Sequence, residues 1–157
     1  LTRRAAETDW RSIESETVTE PLLPREVSRA FDAFPLPIRR RLLDVRKLIF
    51  ATAKAHDDVG PLTETLKWGE PAYLTEQTGS GSTIRLGCVK ESNDHAAVLF
   101  NCKTTLIESF RERFPDTFEY RQKRALLLKV SGALPKRPLS ICLSLALTYH
   151  LDRTGRR

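Results

Sequence analysis

Methionine is absent from the 157 residues, so Leu1 is not expected to be the native start. Long apolar runs are absent as well. The longest candidate, 139–147, is broken by Ser140 and Ser144. It falls far short of the roughly 20 apolar residues of a membrane span and reads as a buried helix. No apolar segment of the secretion-signal kind opens the chain. Cysteine is scarce: Cys88, Cys102 and Cys142 stand far apart, with no Cys-x-x-Cys pair. An odd number at such spacings argues against a disulfide framework or a zinc site. Buried thiols acting as small hydrophobes are expected instead, in a cytoplasmic protein. Gly-x-Ser-x-Gly, His-Glu-x-x-His and P-loop patterns are missing, which leaves no catalytic residue to name. Gly79–Ser82 links two strands and lacks a following Lys and helix, so it reads as a flexible turn rather than a phosphate cradle.

What is present suits a single domain with its own core. The length is adequate for that, and the apolar and charged fractions are 40% and 29%. A net charge of +6 raises the question of nucleic acid. Part of the excess sits at the chain ends, in Arg3, Arg4, Arg153, Arg156 and Arg157. Another part lies on one helix face with Arg39, Arg40, Arg46 and Lys47. Such faces are mostly solvated surface, and no helix-turn-helix or zinc finger accompanies this one, so nucleic acid is not the expected partner and non-specific binding to it is a minor alternative.

Residues 1–23 are polar and without a sustained period, an N-terminal arm in which Trp10 is the oddity. Pro24 opens a helix to about 34, with Val27, Phe31 and Phe34 on one face. A second helix over 37–56 carries the stripe Ile38, Leu42, Val45, Ile49, Ala53. A short third helix is expected at 62–66. Strands follow at 72–76, 83–90 and 96–101, joined by short turns as an antiparallel meander. Ile84, Leu86 and Cys88 are placed on one strand face, which predicts a core thiol at Cys88. Thr105 and Glu108 have capping-box spacing for a helix to 114. A fourth strand is expected at 124–130 and a last helix at 138–151. That helix is apolar nearly all round, so it is either central or covered by a second copy, a homodimer through Leu139 to Leu151. The order implies α+β architecture: an antiparallel meander sheet with helices on one face. The main domain spans 24–151, with a basic tail at 152–157.

The densest segment is 66–74, LKWGEPAYL. Glu64, Lys67-Trp68-Gly69, Pro71 and Tyr73 resemble the signature of the YdhG-like bacterial domains of unknown function. In these an acid or Thr precedes a Lys/Tyr/Trp-Gly-x-Pro-x-Tyr segment, after a helix of basic and apolar residues. The resemblance covers about 24–151. Gly87 and Phe100 fit its sheet pattern. It departs before the last strand, where members often carry Gly-Lys and this chain has Gln122-Lys123-Arg124. The resemblance implies a broadly frataxin-like fold and, since one member has been described as an iron chaperone, iron as a cofactor to weigh.

Two candidate sites result. Gly69 permits backbone that other residues avoid, and Pro71 biases Glu70 toward extended geometry. Together they aim Trp68 and Tyr73, apolar rings with polar tips, at a ligand cleft or at the core. Lys67 and Glu70 would supply the polar groups of a cleft for a small molecule. The alternative is a metal site at His56, Asp57 and Asp58, where a helix ends in hard-ion ligands. Against iron stands the long helix, which is basic where a frataxin-type function uses acids. The leading expectation is a non-catalytic module for an unknown small ligand, and the alternative an iron-binding chaperone.

Overall fold

A computed structural model describes residues 20–90 and 92–154, with side chains to 151. Most of the expected arm, Trp10 included, and the end of the basic tail lie outside the described residues. Helices α1 (Arg25–Asp32) and α2 (Leu36–Lys54) come first. Strands β1 (Thr63–Lys67), β2 (Glu70–Leu74), β3 (Ile84–Cys88) and β4 (His95–Leu99) follow. Then come α3 (Leu106–Arg113), β5 (Glu119–Arg121), β6 (Ala125–Lys129), α4 (Lys136–Leu147) and α5 (Tyr149–Thr154). The fold is α+β, as the element pattern implies. Every strand pair in the six-stranded sheet is antiparallel, in the order β1-β2-β3-β4-β6-β5. No described helix is long and apolar enough to cross a membrane.

Strand alternation divides the sheet. Tyr73, Ile84, Leu86, Val98, Leu126 and Leu128 join the helices in one core. The α2 stripe of Ile38, Leu42, Val45 and Ile49 is buried in that core as its period demands. The other face carries a smaller cluster of Ala97, Ala125 and Leu127, flanked by Leu99. Helix α4 lies against α2 and α3, with Leu139, Cys142, Leu143, Ala146 and Leu147 buried. Its apolar girth is thus taken up largely within the chain.

The structure departs from the sequence reading in six places. The last helix, expected as one run over 138–151, breaks at Thr148 into α4 and α5. The expected helix at 62–66 is strand β1, because Trp68 and Gly69 form a two-residue turn that closes Lys67 onto Glu70. Strand β5 was not foreseen; it is a three-residue edge strand with no periodicity to detect. Thr105 makes no side-chain cap, and the α3 entry is instead held by Thr105 N–H donating to the Tyr149 hydroxyl at 3.2 Å. Cys88, the last residue of its strand, and Cys102 are exposed; Cys142 alone is buried.

The sixth departure is Gly79–Ser82, which is bolted rather than loose. Ser80 and Ser82 are buried. Ser80 Oγ donates to the Leu147 carbonyl at 2.8 Å and Ser82 N–H to that of Ala146 at 2.9 Å, satisfying two carbonyls at the α4 C-terminus.

Candidate functional site

The 66–74 segment is the tip and return strand of a β-hairpin. Trp68 has φ 57° and Gly69 φ 76°, both positive, as a two-residue hairpin turn of type I′ requires. Gly meets this freely. For Trp the left-handed region costs roughly 1–2 kcal/mol, and Asn or Asp is the usual occupant. The two aromatic rings part company here. Trp68 is 89% exposed, whereas Tyr73 is 0% exposed.

Tyr73 and Glu64 face each other across β1 and β2, and the Tyr73 hydroxyl donates to Glu64 Oε2 at 2.8 Å. Arg46 of α2 reaches the same carboxylate with two hydrogen bonds, Nε to Oε2 at 2.6 Å and Nη2 to Oε1 at 2.8 Å. It also donates to the Pro21 carbonyl and stacks over Phe50 at 4.9 Å. A buried Arg and Glu paired bidentately satisfy each other's charge, and the network pins the hairpin to α2. Burial works against the Arg46 charge, but the Glu64 hydrogen bond and field hold its pKa above the ordinary value. Burial and the neighbouring Glu64 push the Tyr73 phenol far up, so it stays protonated and donates. Tyr73 and Glu64 are therefore a structural bolt.

Pro71, buried, sits where it costs no sheet hydrogen bond, since the β2–β3 ladder pairs only Ala72–Arg85 and Tyr73–Ile84.

Lys67 and Glu70, the pair flanking the turn, lie on the face away from the helices with Arg85. Arg85 Nη1 donates to Glu70 Oε1 at 2.6 Å. Burial raises the Glu70 pKa, while Arg85 pulls it the other way. Gly87 leaves room for that carboxylate: a Cβ there would stand 2.5 Å from Glu70 Oε2. Burial, then the Glu70 charge, also raise the Cys88 thiol, which keeps it a poor nucleophile although exposed.

Beside the hairpin tip opens a cleft of about 520 Å³, lined by Lys67, Trp68, Thr83, Arg85, Phe100, Asn101, Cys102 and Arg124. Three of these are cations, and no described lining residue is acidic. Thr83, Arg85, Phe100, Asn101, Cys102 and Arg124 are not among the expected site residues. They belong to the entry of β3, the exit of β4 and the entry of β6, and only sheet order brings them together. Arg124 Nη2 approaches Cys102 Sγ at 3.8 Å. Of the expected ligand set, Lys67 and Trp68 line the cleft; Gly69 shapes the turn, Glu70 holds Arg85, and Pro71 and Tyr73 are buried in the hairpin.

The expected metal residues diverge. His56 Nε2 lies 3.1 Å from Ser144 Oγ, while Asp57 and Asp58 are exposed. Among the described residues no group of three or more His, Cys, Asp or Glu could hold a metal ion. Cys88 pairs with Ala96 in the β3–β4 ladder, and His95 Nε2 lies 2.5 Å from Glu119 Oε2. Ser92 Oγ stands 3.3 Å from His95 Nδ1 but also accepts the Asp94 N–H, the arrangement of a local turn.

Part of the basic helix face is spent internally, while Arg40 and Lys47 are exposed. Arg39 donates to the carbonyls of Phe31, Asp32 and Phe34 at the end of α1. Arg41, buried, donates to those of Val130 and Gly132, and Arg46 belongs to the bolt.

No family model matches the chain, and no curated protein matches it significantly. A solved structure does: a Bacillus subtilis protein of the DUF1801 family, YdhG, superposes with TM-score 0.54 at 14% identity, over 85% of this chain and 94% of that one. The fold is thus shared with a YdhG protein, in agreement with the resemblance read from the hairpin segment.

Proposed function

We propose that this protein is a non-catalytic small-ligand binding module whose ligand occupies the cleft beside Trp68. The observation that carries the reading is Trp68 itself. A large aromatic stands in water, in a backbone conformation that disfavours it, at the mouth of a cleft of ligand-sized volume. Neither burial nor turn formation accounts for the residue. The Trp indole, apolar in body with one N–H donor, suits a ligand wall. The Arg46–Glu64–Tyr73 bolt fixes the hairpin that presents it, so the wall is preorganised.

The test is a thermal-shift screen of a chemically diverse library on the Trp10→Phe chain, in which Trp68 is the remaining tryptophan. A ligand at 100 times its Kd is expected to add about 2.7 kcal/mol of stability. The same ligand should shift Trp68 emission, and Trp68→Asn should abolish its effect. If no compound alters the melting temperature or the emission, the reading fails.

A further inference from the structure

We infer that the ligand class is a planar ring system bearing one anionic group, carboxylate or phosphate; this rests on the binding-module reading above. The cleft offers two kinds of recognition. One is a single exposed flat apolar surface: Trp68 is 89% exposed, whereas Phe100, the other aromatic of the lining, is 1% exposed and packs edge-on against Phe110. The second is charge of one sign. Lys67, Arg85 and Arg124 line the cleft with no described acid among its lining. The nearby carboxylate of Glu70 is committed to Arg85 at 2.6 Å, which leaves Lys67 and Arg124 as the lining cations that face a ligand without that partner.

Ring stacking on an indole is nearly indifferent to ring identity, whereas guanidinium groups select carboxylates and phosphates by paired hydrogen bonds. A neutral ring would leave the cations unused, and a ring-free anion would leave Trp68 in water. A nucleic-acid strand calls for successive stacking platforms, and this cleft has one. A free small molecule fits that count.

The experiment measures dissociation constants by calorimetry on the Trp10→Phe chain, with two matched sets of probes. One set is adenosine 5′-monophosphate, adenosine and ribose 5-phosphate; the other is quinoline-2-carboxylate, quinoline and acetate. In at least one set the planar anion is expected to bind about tenfold or more tighter than its neutral ring and than its ring-free anion. The sets distinguish a phosphate from a carboxylate. Arg124→Gln should weaken that planar anion about fivefold or more, and affinity should fall as salt rises from about 50 to about 300 mM.

A neutral ring that binds as tightly as its anion, or a ring-free anion that binds as tightly as the planar one, overturns the inference and leaves the module reading standing. No binding by any of the six also overturns it. The library screen then decides separately whether the module reading falls with it.

Discussion

At the scale of single residues, Trp68 and Glu70 each carry a cost that the fold alone does not require. Trp68 spends conformational energy in the left-handed region and gains no burial, at 89% exposure. Trp68→Asn places a residue favoured in type I′ turns before Gly69, so stability in urea is expected to rise by about 0.5–1 kcal/mol. A core plug would behave oppositely, losing about 3–5 kcal/mol on truncation. Glu70 gives a pH signature. Its folded pKa is raised, chiefly by burial and against the pull of Arg85, so the native state holds its proton more readily than the unfolded chain. Stability linked to this group therefore falls as pH rises through the unfolded and then the folded pKa, and the penalty is full above both. Glu70→Gln is expected to raise the denaturation midpoint at pH 7, with the gain vanishing near pH 4, about where an unfolded Glu titrates. A gain that is the same at both pH values would place its origin elsewhere.

At the scale of elements, turns decide what periodicity leaves open. The helices α1 and α2 and the strands β3, β4 and β6 were legible, because each has an apolar face with the period of its type. Strand β1, TETLK, has no such face and contains good helix formers; only its pairing through the Trp68-Gly69 turn makes it a strand. Gln122 shows the same logic. It takes φ 52° in the β5–β6 turn, in the stretch where YdhG-like chains often carry Gly, so the turn keeps its shape without the residue that announces it. Only a quarter of the candidate cleft was legible, two of its eight lining residues, for a related reason. Lys67 and Trp68 stand in one dense segment, whereas Asn101, Cys102 and Arg124 meet them only through sheet order. The segment 79–82 was misread because Gly and Ser signal flexibility only when nothing packs on them. A Cβ on Gly81 would stand 2.4 Å from the Leu147 carbonyl oxygen and 2.6 Å from that of Ala146, both backbone atoms. Gly81→Ala must therefore displace the end of α4, at an expected cost of about 1–3 kcal/mol. Gly79→Ala meets nothing within 4 Å and bears only the strain of φ 66°, which costs roughly 1–2 kcal/mol. Chemical denaturation of the two variants, with hydrogen exchange at α4, separates the cases: loss of protection at the α4 C-terminus is expected in Gly81→Ala alone.

At the scale of the whole molecule, the last helix determines whether a second copy is needed. Its nearly unbroken apolar sequence reads equally well as the centre of a domain or as half of an interface. In the fold it lies against α2 and α3, with Leu139, Cys142, Leu143, Ala146 and Leu147 buried. Its C-terminal carbonyls are received by Ser80 and Ser82. Ile141 and Leu145 remain half-buried, and Leu145 already packs against the core. A stable homodimer takes about 800 Å² from each partner, with a dry apolar centre. Two half-covered side chains supply only a small part of that, and the rim around them includes the exposed, basic Lys136 and Arg137. Light scattering is therefore expected to give a mass near the 17.9 kDa of one chain, independent of protein concentration. A dimer that Leu145→Glu dissociates into folded monomers would instead make α4 the interface, and the burial seen within one chain would not be its only burial in solution.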